Sequence, residues 1–162
     1  MKACVVFDTR YGNTERIAKS VASGLKEAGI EAACIQAKDL TSSSLKQYDL
    51  ICAGAPTEWL TASKPMKRFL EGLHGEVLSG KYGFAFDTKL GRPLSGSASG
   101  YIEKELGKVG LEIIARRESA IVYGTGGSMS GMRLIDGEEQ RFEAIGREVG
   151  AVLTARVEKI QA

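Results

Sequence analysis

The feature that most constrains this chain is a regular alternation of short apolar runs with longer amphipathic segments. The apolar runs have the length of β-strands and cover residues 2–7, 30–35, 50–55, 82–86 and 111–122. Apolar residues recur at helical spacing in the intervening and final segments, 14–25, 65–73, 97–109 and 142–160. Parallel strands need helical crossovers, so this order predicts an α/β fold in which a doubly wound, five-stranded parallel sheet carries helices on both faces.

The size of the chain favours one globular domain. Its 162 residues are enough to bury a single core without disulfide or metal staples. Hydrophobic residues make up 43% and charged residues 26% of the sequence, which is typical of a globular protein rather than a disordered one. We therefore expect residues 1–162 to form one domain.

The charge balance and the cysteines limit the classes of partner. Lys and Arg total 22 against 20 acidic residues, and this net charge of +2 gives no basis for a nucleic-acid or membrane partner. Cys4, Cys34 and Cys52 are odd in number and lie in apolar runs, which favours reduced thiols and a cytoplasmic protein. His74 has no neighbour at metal-ligand spacing, so we expect no metal site.

The topology indicates where a ligand would bind. In open parallel sheets, ligands lie outside the carboxyl ends of the strands, at the point where the strand order reverses. The loops that follow the first, third and fourth predicted strands are therefore the candidate site.

The first of these loops has the composition of an anion site. It directly precedes a helix, whose N-terminal N–H groups favour a phosphate, and it adds side-chain donors. Gly12 permits a backbone conformation that a Cβ would hinder. An ordinary turn with Thr14 as a helix cap would explain Thr14 alone. The candidate phosphate-binding residues are Thr9, Arg10, Tyr11, Gly12, Asn13 and Thr14.

The amino-acid sequence of this loop resembles the corresponding loop of a known family. The loop has neither the G-x-x-x-x-G-K-[ST] pattern of nucleoside-triphosphate sites nor the G-x-G-x-x-G pattern of dinucleotide sites. A monophosphate is therefore the favoured ligand. The loop resembles the T-x-T-G-x-T phosphate loop of short-chain flavodoxins, with Tyr11 in place of the middle threonine. Its Y-G-N-T sequence is similar to the flavodoxin domains of flavodiiron proteins. The resemblance implies a flavodoxin-like strand order of 2-1-3-4-5 and FMN as the cofactor.

The other two loops take their roles from this resemblance. The loop after the third strand holds the only tryptophan, Trp59, whose indole offers a face for stacking on the flavin ring. A tryptophan that covers the core is the alternative. The loop after the fourth strand lacks the tyrosine that many flavodoxins carry. The predicted flavin-binding residues are Pro56, Thr57, Glu58, Trp59 and Leu60 in the former loop, and Asp87, Thr88, Lys89, Leu90, Gly91 and Arg92 in the latter.

The resemblance leaves three function classes open. The first is a low-potential electron carrier that exchanges electrons with redox partner proteins, and the basic residues of the loops suit partners with an acidic docking patch. The second is a flavin-dependent oxidoreductase of the quinone reductase or protoporphyrinogen dehydrogenase type, which would use an uncovered flavin face. The third is a regulatory domain without the cofactor, against which the intact phosphate loop argues.

Overall fold

Two helical layers enclose a central sheet in the computed structural model of this chain, which describes residues 1–76, 78–124 and 131–162. The helices are α1 (Asn13–Glu27), α2 (Lys64–Gly72), α3 (Ala98–Lys108) and α4 (Glu138–Gln161). The strands are β1 (Lys2–Phe7), β2 (Glu31–Gln36), β3 (Leu50–Glu58), β4 (Thr61–Ala62), β5 (Tyr82–Leu90), β6 (Glu112–Ile113), β7 (Glu118–Tyr123) and β8 (Arg133–Leu134). Short 3₁₀ turns at Ala37–Asp39 and Ser42–Gln47 connect β2 to β3.

The sheet confirms the predicted topology. Its long strands are parallel and lie in the order β2-β1-β3-β5-β7, which is the order 2-1-3-4-5 of the predicted strands. The strand count differs from prediction, because the described residues form eight strands. β4 and β8 are two-residue antiparallel partners of β3 and β7. β6 and β7 are the two halves of the predicted fifth strand, and both pair with β5.

Two strands continue into segments that the sequence predicts as loops. β3 and β5 run on to Glu58 and Leu90, and their extensions pair through Ala55 with Asp87 and Pro56 with Thr88. Apolar patterning ends earlier because the side chains of these extensions border a cleft and a polar cluster rather than a uniform core. The cleft is thus built partly on rigid strand ends.

Each face of the sheet has its own apolar core. One face packs against α1 and α4 around Phe84, Phe86 and Phe142, all fully buried. The other packs against α2 and α3 around Met66, Leu70 and other buried residues. In the described part of the chain, no helix has the combined length and apolar character that crossing a membrane requires.

Candidate functional site

A cleft of about 700 Å³ opens at the carboxyl ends of β1, β3 and β5. It lies where β1 and β3 are neighbours and the strand order reverses, the location predicted from topology. Its lining residues come from all three predicted loops, from β7 and from the residue just before β8. They are Thr9, Arg10, Tyr11, Asn13, Thr14, Pro56, Thr57, Glu58, Trp59, Leu60, Thr88, Lys89, Leu90, Ser95, Val122 and Met132.

The loop after β1 ends at the start of α1, which no side chain caps. Gly12 occupies the N-cap position of α1 with a left-handed φ of 85°. The N–H groups in the first turn of a helix have no partner within the helix. The Gly12 N–H donates to Oγ1 of Thr9 at 3.0 Å, so the hydrogen of the Thr9 hydroxyl is left to donate elsewhere. This end of the cleft can therefore donate several hydrogen bonds to an anion.

Two long-range hydrogen bonds hold this loop in place. The hydroxyl oxygens of Thr14 and Thr88 are 2.8 Å apart and buried, which joins α1 to β5. One hydroxyl donates to the other, so one hydrogen of the pair remains free. The Asn13 side-chain amide donates to the carbonyl of Met132 at 2.9 Å. The loop is consequently fixed by residues far away in the sequence.

The charges near this loop are partly compensated. Arg10 lies 3.6 Å from the carboxylate of Glu58 across the cleft mouth, and its guanidinium lies 5.6 Å from the ring centre of Tyr11. Its side chain is 60% exposed, so the ion pair contributes little stability. Arg10 can turn toward an anion at small cost.

The outer wall of the cleft carries exposed apolar side chains on an unusual backbone. Trp59 is 97% and Leu60 is 64% exposed, and nearby Leu94 is 94% exposed. All three have left-handed φ values, of 48°, 70° and 62° respectively. This conformation is unfavourable for residues with a Cβ. The tertiary structure therefore holds these apolar groups outward at a cost in backbone energy.

Gly96 joins the two outer loops. A β-bridge pairs Leu60 with Gly96, and a Cβ on Gly96 would collide with the backbone of Leu60. Gly96 also has a φ of 72°, which suits glycine. The segment after β3 and the segment before α3 are therefore held against each other.

A buried polar cluster lies behind this wall. Asp87 is fully buried and accepts hydrogen bonds at Oδ2 from the Thr57 hydroxyl, the Ser97 hydroxyl and the Ser99 N–H. Thr57 also lines the cleft, and Ser97 is the N-cap of α3. The cluster thus connects β3, β5 and α3 at the edge of the candidate site.

Most of the predicted site residues line the cleft, and a few do not. The predicted residues that are absent from its lining are Gly12, Asp87, Gly91 and Arg92. Sequence reasoning missed Ser95, Val122 and Met132, which the fold brings to the same cleft. Val122 could have been predicted from the sequence, because it ends the fifth predicted strand, whose carboxyl end must lie beside that of the fourth. Among the described residues, no group of three or more His, Cys, Asp or Glu side chains could hold a metal ion.

The comparisons with known proteins agree with this geometry. Residues 5–145 match the family model described as flavodoxin. A flavodoxin from Clostridium saccharobutylicum is 32% identical over 89 residues, which cover 54% of this chain and 56% of that protein. NAD(P)H dehydrogenase (quinone) 3 from Rhizobium meliloti is 32% identical over 109 residues, 52% of this chain and 51% of that enzyme. The chain thus spans about half the length of the curated relatives it matches.

Solved structures share the fold over nearly the whole chain. Flavodoxin 1 from Bacillus cereus superposes with a TM-score of 0.77 at 22% identity, covering 92% of this chain and 97% of that one. Flavodiiron proteins are also among the structures with this fold. At such low identity the likeness shows the fold alone, whereas the family model matches most of the sequence. This chain therefore belongs to the flavodoxin family, whose members bind FMN.

Proposed function

We propose that residues 1–162 form a single domain that binds one FMN in the cleft and carries electrons at low potential between redox partner proteins. The observation that carries this proposal is the cleft itself, which combines a donor-rich loop at a helix start with an exposed indole across the same opening. FMN supplies reversible one- and two-electron chemistry when bound, and the protein supplies binding, orientation and electrostatics.

The phosphate end of the cleft fits the cofactor. The first-turn N–H groups of α1, the Thr9 hydroxyl and the Thr14–Thr88 pair offer hydrogen-bond donors to an anion. Arg10 adds a positive charge at the mouth. We assign phosphate binding to residues 9–14, with Gly12 acting through its left-handed backbone rather than through a side chain.

The other end of the cleft fits a flat aromatic ring. Trp59 offers a broad apolar face, and Pro56, Leu60 and Leu90 extend the apolar lining. Thr57, Glu58, Thr88 and Lys89 add polar groups around it. We assign the ring to the space between residues 56–60 and 88–92, with Trp59 stacked on it. Gly91 and Arg92 border this space from the turn after β5.

The spectrum of the purified protein tests this assignment. We expect a flavin spectrum with one FMN per chain, and reduced protein that passes electrons to acceptor proteins without a small substrate of its own. A preparation that neither retains nor takes up FMN would refute the assignment. FMN binding with no electron transfer to any acceptor protein would refute the carrier role alone.

A flavin-dependent quinone reductase is the second candidate. The exposed apolar side chains of Trp59, Leu60 and Leu94 beside the cleft favour it, since they could border a flat substrate. Three of the curated relatives carry the name NAD(P)H dehydrogenase (quinone). Steady-state oxidation of NAD(P)H that depends on an added quinone would establish this activity. Its absence, with efficient transfer to acceptor proteins, is the result we expect.

The cysteines support a cytoplasmic location in this proposal. Burial raises the pKa of Cys4 to about 12 and that of Cys34 to about 11, and it also raises the pKa of Cys52. All three are free thiols. Thiols that stay protonated at neutral pH are inert, which fits structural packing in a reducing compartment.

A further inference from the structure

Asp87 holds a buried carboxylate directly behind the wall of the cleft. Its exposed fraction is 0%, whereas the next residue, Thr88, lines the cleft. Successive side chains of a strand point to opposite faces, so Asp87 faces α3 while Thr88 faces the α1 layer. The hydrogen bonds of both residues agree, since Thr88 contacts Thr14 and Asp87 contacts Ser97.

Every donor around Asp87 is directed at one carboxylate oxygen. Oδ2 accepts from the Ser99 N–H at 2.8 Å, from the Ser97 hydroxyl at 3.0 Å and from the Thr57 hydroxyl at 3.3 Å. The Thr57 hydroxyl accepts in turn from the Ala98 N–H at 3.0 Å. The polar cluster thereby ties β3 to the first turn of α3 through Asp87.

The hydrogen bonds of Ser97 fix its hydroxyl as a donor to Asp87. The Ser97 hydroxyl has one hydrogen, which it donates to Asp87, and it accepts from the Gly100 N–H and the Ser99 hydroxyl. Asp87 Oδ2 therefore acts only as an acceptor, at the positive end of the helix dipole of α3.

The charge of Asp87 has no cationic partner among these contacts. Its donors are hydroxyls and one backbone N–H, and Oδ1 is buried without a hydrogen-bond partner among the described residues. Glu105, a buried carboxylate of α3 itself, is different, because Lys108 lies 2.6 Å and His74 3.1 Å from its oxygens. Asp87 thus places a carboxylate without a cationic partner among these contacts one hydrogen bond from the cleft wall.

We propose that Asp87 is a positioning residue that lowers the reduction potential of FMN bound in this cleft. It holds the segment around Thr57 and the segment around Ser97 together, and its buried charge opposes the negative charge that reduction adds. This inference rests on the proposed FMN site. Its effect is opposite in sign to the one we expect from Lys89, near the end of β5, and Arg92, in the turn after it.

The substitution Asp87→Asn tests the charge while keeping the shape of the side chain. With FMN bound, we expect the equilibrium constant for adding the second electron, the step that gives the reduced flavin its negative charge, to rise about tenfold, which is about 59 mV for one electron. The shift should persist at high salt, because buried charges are screened weakly. Ser97→Ala is the matched control, since it removes one donor and keeps the charge. We expect it to lower the same equilibrium constant about threefold.

The signs of the two shifts separate a charge effect from loosened loops. Loosening alone would move both variants in the same direction, and that result would overturn the inference, as would an unchanged potential in Asp87→Asn. If Asp87→Asn fails to fold, Ser97→Ala decides: a more negative potential supports the inference, and any other result overturns it. A wild-type protein that binds no FMN would instead refute the proposed function.

Discussion

The two ends of the cleft are built in opposite ways. The proposed phosphate end has a buried polar base, with Thr14 1% and Asn13 9% exposed and both hydrogen-bonded across the fold, below an exposed Arg10. The outer end is apolar and exposed at Trp59 and Leu94, on a left-handed backbone. The difference suits the ligand groups that we propose for each end: an anion needs fixed donors, whereas an aromatic ring gains most from apolar surface that its binding buries.

Removing donors at the phosphate end should have the largest effect. The double substitution Thr9→Ala, Thr14→Ala should weaken FMN binding by about 1.5–3 kcal/mol for each lost charge-assisted hydrogen bond. Titration of the apoprotein with FMN measures this loss. Riboflavin lacks the phosphate and serves as the control, because its affinity should be nearly the same in variant and wild type. An unchanged FMN affinity would remove the phosphate assignment.

Removing the indole at the outer end should have a smaller effect on binding. Trp59→Ala should lose about 1 kcal/mol of stacking beyond the loss of buried area, and the fluorescence of the bound flavin should increase. In this variant FMN and riboflavin should lose the same amount of binding free energy, whereas in the threonine variant only FMN should lose it. Equal flavin fluorescence in variant and wild type would place the indole away from the ring.

Charge at the outer end should tune potential and partner docking. A cation about 10 Å from the ring stabilises added negative charge by about 0.4–1.7 kcal/mol for dielectrics of about 80 to 20, or about 20–70 mV for one electron. Replacing Lys89 and Arg92 by Gln should lower the potential of the second reduction step of bound FMN. It should also slow association with a partner that carries an acidic patch.

Ionic strength separates these surface charges from the buried charge of Asp87. The rate difference between the Lys89/Arg92 variant and wild type should fade as salt rises, because exposed charges are screened. Stopped-flow measurements at low and high salt provide the check. Equal rates at low salt would contradict an acidic docking patch on the partner.

A substitution that relieves the backbone strain at Leu94 should stabilise the fold. Leu94→Asn should raise the free energy of unfolding by about 1 kcal/mol, since asparagine tolerates the left-handed region and little apolar burial is lost. Ile160→Asn is the control, because Ile160 is also exposed but lies in α4. Its change should stay within about 0.5 kcal/mol. Denaturant unfolding of both apoproteins measures the difference, and an equal response would argue against strain at Leu94.

Local patterns made most of the fold predictable. Apolar runs and helical spacing gave the order of the strands and helices, and parallel connectivity then placed the cleft at one edge of the sheet. The apolar pattern stops before the true ends of β3 and β5, so the sequence predicts loops there. In the structure Pro56 and Thr88 continue the β-ladder with side chains that line the cleft. A hydrophobic pattern indicates burial in a uniform apolar core. It therefore does not predict the parts of a strand that border a polar site.

The sequence by itself determined the loop to which we assign the phosphate, because Gly12, its flanking donors and the start of α1 are contiguous and act through local backbone geometry. Only the tertiary structure decided what surrounds it. Asn13 meets Met132 across 119 residues, and Thr57 meets Asp87 across 30. Such pairings depend on strand register and helix packing, which bring distant residues together without any mark in the local sequence. The assignment of Asp87 to a buried cluster rather than to the cleft surface is the clearest case.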